Sequence, residues 1–348
     1  MTARGLGLTA EGPTGLKPRE ATSLESQASS QGPQVAKIAV IAVGGNSLIR
    51  AGEKGDIGEQ LANTRRTARA VVALIRDGLQ VVLTHGNGPQ VGAALLRSER
   101  ASDQVYAQSL DVCDAATQGE IGYLLQQSLC NELAAAKLRH PVVTLLTQVV
   151  VSRDDPAMTH PTKPIGPFYS RADAEERVRQ HGWNIVEDAA RGYRRVVPSP
   201  EPIEIVEEDS IRRTMAGGAL VIALGGGGIP VVRENGGLAG IEAVIDKDRA
   251  SALLACRLQA DYFIISTDAD RVYRDYRKPT QQALGQVTAD EIERDYQAGQ
   301  FPPGNMGPKI ESALRFLRGT APGREVIITS YEYLADAMQG KAGTHITR

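Results

Sequence analysis

Two lysines stand at positions where an ammonium group is electrostatically unfavourable. Lys247 and Lys309 each fall in the first turn of a stretch with helical patterning. A positive charge there opposes the helix dipole, at a cost of roughly 0.3–1 kcal/mol when exposed. For one such lysine, solvation and a capping Asp246 or Asp248 would be a sufficient explanation. Because the same arrangement occurs twice, the sequence favours an anion bound close to both ammonium groups.

Clusters of glycine provide a second indication of an anion site. Glycine lets backbone N–H groups approach an oxyanion closely and permits a positive φ, and a following helix adds the positive end of its dipole. Loops that follow parallel strands converge at one edge of the sheet, where ligands bind. The loops after the predicted strands contain Gly44, Gly45 and Asn46, then Gly86, Asn87 and Gly88, then Gly225, Gly226, Gly227 and Gly228, and finally Thr267, Asp268 and Asp270.

Two common nucleotide-binding motifs are absent or imperfect. The P-loop pattern G-x-x-x-x-G-K-[ST] does not occur in the sequence. The segment Gly86-x-Gly88-x-x-x-Gly92 follows a predicted strand and opens a helix, but it is one residue too long for the dinucleotide-binding pattern G-x-G-x-x-G. In addition, no acidic residue ends a second strand about 20 positions later. The sequence therefore argues against a P-loop protein and against dinucleotide binding.

The elements that must position these residues alternate along the chain. From Lys37 onward, short runs rich in β-branched residues are separated by longer, charged stretches. The short runs are continuously apolar, which is typical of parallel strands covered on both faces, and the alternation predicts an α/β layered fold. The predicted strands are 37–43, 80–84, 142–151, 219–224, 262–266 and 325–329, and the predicted helices are 58–77, with Gly78 as its cap, 110–138, 171–181, 247–260 and 308–318.

Two regions depart from this alternation. Residues 152–205 contain seven prolines and the only tryptophan, and they are predicted to form an inserted small subdomain of a domain that spans 36–348. Residues 1–35 contain no aromatic side chain and too little apolar surface to offset the entropy of ordering, so they are predicted to be a disordered tail. The tail has no apolar core of a secretory signal, and its three glutamates argue against an organelle transit peptide.

Composition and charge exclude several functional classes. The 39 Lys+Arg and 41 Asp+Glu give a net charge of −2, which removes the electrostatic argument for binding nucleic acid or a membrane surface. The longest uncharged apolar run, 219–232, is shorter than the roughly 18 residues of a membrane helix. The 3 cysteines and 5 histidines show no metal-ligand spacing, and scattered cysteines suit a reducing cytosol.

Taken together, these segments resemble the amino acid kinase superfamily and, within it, the carbamate kinases. The match runs in order from about residue 37 to the end of the chain. The segments that carry it are 43–46 (VGGN), 85–92 (HGNGPQVG), 146–151 (LTQVVV), 161–168 (PTKPIGPF), 197–200 (VPSP), 225–232 (GGGGIPVV), 242–248 (EAVIDKD) and 308–311 (PKIE).

The resemblance implies a fold and a reaction. The fold is a three-layer αβα sandwich with a mainly parallel central sheet and a small protruding subdomain, which corresponds to 152–205. The reaction is reversible phosphoryl transfer between ATP and carbamate, giving ADP and carbamoyl phosphate, and it usually makes ATP at the end of arginine breakdown, in the arginine deiminase pathway. Such proteins are cytoplasmic homodimers. Mg²⁺ is expected to be carried by the nucleotide, with no metal ligand assigned to the protein.

The resemblance also implies roles for individual residues. Many relatives carry K-x-G-G at the first strand, with a lysine that reaches the transferring phosphoryl group. Ala42 stands at this position here, and Lys163 matches the lysine that carbamate kinases use instead. The implied catalytic residues are Lys163, Lys247, Lys309 and Asp246, the phosphate and substrate contacts are Gly44, Gly45, Asn46, Gly86, Asn87, Gly88, Gly225, Gly226 and Gly227, and the nucleotide contacts are Thr267, Asp268, Asp270, Met306 and Lys309.

Two alternatives stay open at this point. A kinase of acetylglutamate, glutamate or aspartate is expected to keep the K-x-G-G lysine, so Ala42 argues against it. A catalytically silent nucleotide sensor or assembly subunit with the same fold is expected to lack a key lysine or a glycine loop, and the sequence lacks none of them. Phosphorylation of ADP by carbamoyl phosphate would separate all three functions.

Overall fold

The computed structural model describes residues 36–45, 48–50, 52–187, 192–302 and 306–348, and Ala36–Arg348 forms one compact unit. The predicted tail 1–35 and the predicted site residue Asn46 lie outside the described residues. The strands are β1 (Ile38–Val43), β2 (Gln80–His85), β3 (Val142–Thr144), β4 (Gln148–Val150), β5 (Lys163–Tyr169), β6 (Asn184–Glu187), β7 (Tyr193–Val197), β8 (Glu204–Ile205), β9 (Leu220–Ile222), β10 (Ile229–Glu234), β11 (Gly237–Gly240), β12 (Tyr262–Ser266), β13 (Val272–Arg274), β14 (Gln282–Leu284), β15 (Gln286–Thr288), β16 (Glu325–Thr329) and β17 (Thr344–Thr347).

Helices connect most of these strands. They are α1 (Ile57–Arg76), α2 (Gly88–Arg100), α3 (Leu110–Ala135), α4 (Arg171–His181), α5 (Glu208–Ala216), α6 (Lys247–Leu258), α7 (Ala289–Gln297), α8 (Met306–Gly319) and α9 (Leu334–Met338). Gly78 follows α1 with a φ of 87°, as its predicted role at the end of that helix requires. Across the described part of the chain, we find no helix with the length and apolar character needed to cross a membrane.

Eight strands form the main sheet, in the order β15-β17-β16-β12-β1-β2-β9-β3. Every neighbouring pair is parallel except β16 and β17, which are antiparallel. Since each parallel connection requires a crossover, helices cover both faces of this sheet. The predicted α/β fold with a mainly parallel sheet is therefore confirmed.

The central strand β1 shows why the fold has three layers. Its side chains alternate between two cores. Val40 and Ala42 pack with residues of α6 and α8, whereas Ala39 and Ile41 pack with residues of α1 and α3. All four side chains are fully buried. Apolar burial contributes about 25 cal/mol per Å², so a strand that is apolar on both faces is most stable between two helical layers.

One predicted strand is wrong as a continuous element. The run 142–151 splits into β3, which lies beside β9 in the main sheet, and β4, which lies between β8 and β10 in a separate four-stranded sheet. The break falls at Thr147, whose backbone N–H donates to Gln118 Oε1 on α3 at 2.9 Å, and the preceding Leu146 is 56% exposed. A continuous apolar run gives no sign of a break that a side chain on a distant helix makes.

The proline-rich insertion contains a small antiparallel sheet, in the order β5-β7-β6, with α4 packed against it. Trp183, the only tryptophan, is buried there, and the guanidinium groups of Arg177 and Arg195 lie 5.0 and 4.6 Å from its ring centre. Strand β5 also crosses α2 closely, because a Cβ added to Gly92 would overlap the backbone of Gly166. The absence of a side chain at Gly92 allows this small sheet to approach the main body.

Candidate active site

Three lysine side chains converge on two neighbouring carboxylates. Lys163 Nζ donates to Asp246 Oδ2 at 2.5 Å. Lys247 and Lys309 donate to the two oxygens of Asp248, at 2.5 and 2.8 Å respectively. The cluster therefore holds one more positive charge than negative charge. The structure thus brings together the three lysines and Asp246 that the sequence singled out, although they come from distant parts of the chain.

The start of α6 positions both carboxylates. Asp246 is the N-cap residue, and its Oδ1 accepts the backbone N–H of Asp248 at 2.9 Å. An aspartate cap of this kind contributes about 1 kcal/mol to the stability of a helix. Lys247 is the first helical residue, so the sequence Asp-Lys-Asp places the cap, a cation and a second carboxylate within one turn. Capping and ion pairing therefore occur together rather than as alternatives.

The other two lysines reach the cluster from separate elements. Lys163 is the first residue of β5, where it pairs with Val197 of β7. Lys309 lies in the first turn of α8, which begins at Met306, two residues before the predicted start. Helix α8 packs beside α6 in the same core. A strand of the small sheet and two helices of the main body therefore share one site.

Burial increases the electrostatic interactions within the cluster. The side chain of Asp248 is 4% exposed, and those of Lys247 and Lys309 are 11% exposed. Burial raises the pKa of Asp248 and of Asp246, but the neighbouring ammonium groups outweigh it and hold both pKa values below their usual range. Burial lowers the pKa of Lys247, which Asp248 only partly opposes. Burial also lowers the pKa of Lys309, but its contact with Asp248 outweighs this and the pKa is raised.

Glycine loops border the cluster through close backbone packing. A Cβ added to Gly86 would lie 3.2 Å from Lys247 Cδ and 3.4 Å from the backbone nitrogen of Gly45, so the loops after β1 and β2 meet beside this lysine. Gly227 has a φ of 95°, and a Cβ there would collide with the carbonyl oxygen of Ile245. Since Ile245 directly precedes the helix cap, the third glycine loop lies against the start of α6.

The other predicted glycines occupy the same three loops. Gly44 follows β1, and Gly88 is the first residue of α2. Gly225 and Gly226 form a short 3₁₀ turn with Gly227, and Gly226 has a φ of 68°. A Cβ on Gly226 would collide with the Asn87 side chain, so the second and third loops are in direct contact.

A buried polar network on α3 supports these two loops. Asn87 Nδ2 donates to Asp114 Oδ1 and also to Thr117 Oγ1, the latter at 2.8 Å. Gln118 Nε2 donates to the carbonyl oxygen of Gly225 at 2.9 Å. Asp114 is fully buried, and burial raises its pKa well above the usual value despite the hydrogen bond from Asn87. These hydrogen bonds hold the second and third glycine loops against α3.

Neither the polar network on α3 nor the two ion pairs of Asp248 was predicted from the sequence. A signal for the first was present, because Asp114, Thr117 and Gln118 recur at i, i+3 and i+4, on one face of a long helix. All three are buried, so a polar patch interrupts the core-facing side of α3. The pairing of Asp248 with Lys309 had no sequence signal, because the two residues meet only through the packing of α6 on α8.

The predicted nucleotide contacts are only partly gathered. Asp268 follows β12, and its charge contributes to the raised pKa of Lys309, after the larger effects of burial and of Asp248. Thr267 is held through its backbone N–H, which donates to Thr329 O at 2.9 Å. Asp270 Oδ1 instead accepts a hydrogen bond from the hydroxyl of Tyr273 at 2.8 Å. Met306 is partly buried and packs against the core that α6 and α8 share.

His85, which ends β2 beside the glycine loops, is expected to make stability pH-dependent. Burial lowers its pKa from 6.5 to about 4, although a hydrogen bond with the carbonyl of Gly86 opposes this. Protons therefore bind the unfolded chain preferentially below pH 6.5, and stability falls as the pH drops from 6.5 to about 4. The loss attributable to His85 should reach about 3 kcal/mol, at 1.36 kcal/mol per pKa unit.

Urea unfolding at several pH values measures this loss. The matched variant is His85→Gln, which cannot titrate in this range while the carboxylates of the cluster are unchanged. We expect its stability to depend less steeply on pH between 4 and 6.5 than that of the unmodified protein. Equal slopes for the two proteins would contradict the assignment of this pH dependence to His85.

The chain is similar in sequence and in fold to known proteins. Residues 37–330 match the model of the amino acid kinase family. The chain is 48% identical over 316 residues to a carbamate kinase from Thermococcus kodakarensis, which covers 90% of this chain and 99% of that protein. It is 50% identical over 311 residues to a carbamate kinase from Staphylococcus haemolyticus, covering 89% and 99%. A solved structure of carbamate kinase from Giardia lamblia bound to AMP-PNP is 42% identical, with a TM-score of 0.83 and coverage of 90% and 99%.

Proposed function

The chain belongs to the amino acid kinase family and is a phosphotransferase, and we propose that it transfers a phosphoryl group reversibly between ATP and carbamate, giving ADP and carbamoyl phosphate. The observation that carries this proposal is the convergence of Lys163, Lys247 and Lys309 beside the glycine loops. A site with excess positive charge, bordered by backbone N–H groups, suits a reaction in which several phosphate and carboxylate-type oxygens must be brought together.

The chemistry of carbamate explains why the site needs lysines rather than a general base. Carbamate is already an anionic oxygen nucleophile, so no proton has to be removed before it attacks the γ-phosphorus. Two like charges 4 Å apart repel by about 1 kcal/mol in water and by about 4 kcal/mol at an effective dielectric constant near 20. Catalysis then consists mainly of positioning the two anions and neutralising their charges.

Each lysine has a distinct part in this mechanism. Lys309 bridges the β- and γ-phosphates, and so stabilises both the leaving group and the transferring group. Lys247 contacts the transferring phosphoryl group. Asp248 orients both ammonium groups, which it already contacts at 2.5 and 2.8 Å. Asp246 caps α6 and orients Lys163 in the same way.

Lys163 supplies the charge on the carbamate side. The buried side chain of Ala42 in β1 provides no cation there, at the position where many relatives have a lysine. Lys163 is the most exposed of the three lysines, at 29%, and is carried by the small sheet rather than by the main body. These two properties support its assignment to the substrate that enters from solvent.

The loops hold the oxygens that the lysines do not reach. Backbone N–H groups of the first two loops contact phosphoryl and carbamate oxygens, and the third loop lines the path of the phosphates. On the nucleoside side lie Thr267, Asp268, Asp270 and Met306. The first two loops contribute Gly44, Gly45, Asn46, Gly86, Asn87 and Gly88, and the third contributes Gly225, Gly226 and Gly227.

Mg²⁺ is the divalent cation that we propose for this reaction, bound mainly through the nucleotide phosphates. Hard oxygen ligands suit this ion. Asp246 and Asp248 contact lysines, and Asp268 is an exposed residue that follows β12. No group of three or more His, Cys, Asp or Glu side chains within the described residues is arranged to hold a metal ion. The bound ion would neutralise part of the phosphate charge.

The biological setting that we propose follows that of the family. The protein is a cytoplasmic homodimer, and it makes ATP from carbamoyl phosphate in arginine catabolism. The near-neutral composition of the chain supports a function without nucleic acid or membrane partners.

The assay that tests this function measures ATP formed from carbamoyl phosphate and ADP by the full chain in the presence of Mg²⁺. We expect ATP formation with carbamoyl phosphate, and no phosphorylation of acetylglutamate, glutamate or aspartate by ATP in parallel reactions. Phosphorylation of one of these acids without ATP formation from carbamoyl phosphate would contradict the proposal. Binding of ADP without any turnover would contradict it too, and would favour a nucleotide sensor.

A further inference from the structure

We propose that Arg249 is a positioning residue that fixes the strand carrying Lys163 relative to the helices carrying Lys247 and Lys309. This inference rests on the proposed function, since it concerns the same reaction. Arg249 lies in the first turn of α6, two residues after Lys247. Its backbone N–H donates to Asp246 Oδ1, but its guanidinium group pairs with glutamates on the segments that deliver the other two lysines.

The first contact links α6 to α8. Arg249 Nη2 donates to Glu311 Oε2 at 3.0 Å. Glu311 lies two residues after Lys309, in the first part of α8. Because one ion pair joins the starts of both helices, it helps to set the distance between the two ammonium groups that share Asp248.

The second contact links α6 to the small sheet. Arg249 Nη1 lies 2.8 Å from Glu201 Oε1. Glu201 follows β7, the strand whose last residue, Val197, pairs with Lys163. Between them, the carbonyl oxygen of Pro198 accepts the backbone N–H of Val244 at 2.9 Å. The chain that leaves the small sheet is therefore attached twice beside the start of α6.

An arginine is well suited to making both contacts. Its planar guanidinium group presents donors in fixed directions, whereas a lysine has one compact ammonium group on a flexible chain. The side chain of Arg249 is 26% exposed, and those of Glu201 and Glu311 are 38% and 34% exposed. Ion pairs of such exposure contribute little to overall stability. Their fixed geometry, however, affects the position of reacting groups, and a displacement of about 1 Å can reduce a rate about 100-fold.

Arg315 provides a matched control. It is also an arginine near Glu201, with Nη2 lying 2.8 Å from Glu201 Oε2, and its side chain is 40% exposed. Arg315 lies on α8, one turn beyond Glu311. If its contact with Glu201 is lost, the ion pair between Arg249 and Glu201 still links α6 to the small sheet. Loss of either arginine therefore removes an ion pair on the same glutamate, but only Arg249 joins all three segments.

The kinetic test compares Arg249→Met, Arg249→Lys and Arg315→Met by ATP formation from carbamoyl phosphate and ADP. We expect both Arg249 variants to lower kcat at least about 10-fold, with a change in KM for ADP of less than about threefold, and Arg315→Met to change kcat less than about twofold. In a Lys163→Met background, Arg249→Met should lower kcat clearly less than it does in the otherwise unmodified protein, because part of its effect passes through the position of Lys163. Additive losses, or full activity of Arg249→Lys, would overturn the proposal.

Hydrogen exchange provides a readout that does not depend on the reaction. We expect Arg249→Met to accelerate backbone exchange in β5 and β7 while leaving exchange in β1 and α1 unchanged. Unchanged exchange in β5 and β7 would overturn the proposal, whatever the result of the kinetic test. If the unmodified protein forms no ATP but the local exchange result holds, the proposed function fails and the positioning contact stands.

Discussion

Replacing Lys247 or Lys309 with alanine is expected to lower the rate of ATP formation from carbamoyl phosphate and ADP by at least about 100-fold. Removal of one preorganised group that stabilises a developing anion typically has an effect of this size. The fold should persist in either variant, because Asp248 contacts both lysines and keeps one of them as its partner. Steady-state kinetics with both substrates measure the change, and circular dichroism verifies the fold.

Two further variants separate charge from side-chain volume and from general effects of lysine removal. Lys247→Met keeps the length of the side chain without its charge, and it should be as impaired as the alanine variant. Lys341→Ala removes an exposed lysine whose ammonium group donates to Gln339 Oε1 at 2.6 Å, and it should retain full activity. Near-normal ATP formation in Lys247→Ala or Lys309→Ala would reject the proposed roles of these lysines.

Replacing Asp248 with asparagine is expected to destabilise the free protein by about 3–5 kcal/mol. Asp248 is 4% exposed and is the partner of two buried ammonium groups, and removing one partner of a buried ion pair leaves an uncompensated charge. Asparagine has nearly the same shape, so the change isolates the loss of negative charge. Urea unfolding at pH 7 measures the difference through the midpoint and the slope.

The control for this experiment is Asp275→Asn. Asp275 also pairs with a lysine, Lys278, at 2.9 Å, but its side chain is 30% exposed and that of Lys278 is 64% exposed, so solvent screens the ion pair and a much smaller change is expected. A polyanion such as ATP should raise the stability of Asp248→Asn more than that of the unmodified protein, because it replaces the missing negative charge. A loss of less than about 1 kcal/mol in Asp248→Asn would show that the lysines do not depend on this carboxylate.

Six of the eight strands of the main sheet could be predicted from the sequence because they are apolar, whereas β15 and β17, which are short and rich in polar residues, were not predicted. The runs 262–266 and 325–329 coincide with β12 and β16, and the others end within one or two residues of their predicted bounds, apart from 142–151. Helices α5 and α7 were not predicted, because each has only 9 residues, most of them polar or charged. The apolar periodicity that marks a helix needs a longer stretch than this.

The site was predictable only where a residue conflicted with its local environment. Lys247 and Lys309 stood out because a cation at a helix start is unfavourable, and an unfavourable local choice indicates a function elsewhere in the fold. Asp248 and Arg249 did not stand out, because an aspartate and an arginine at those positions are locally unremarkable. Their importance arises from α8 and from Glu201, which the chain brings close only after folding.

The single tryptophan gives this protein a built-in optical reporter. Trp183 lies in the small sheet that carries Lys163, and it is covered by the guanidinium groups of Arg177 and Arg195. Indole emission depends on nearby charges and on contact with water. Since the chain contains no other tryptophan, its fluorescence reports on this sheet alone, and any rearrangement of the sheet when substrates bind can be followed in real time without an attached dye.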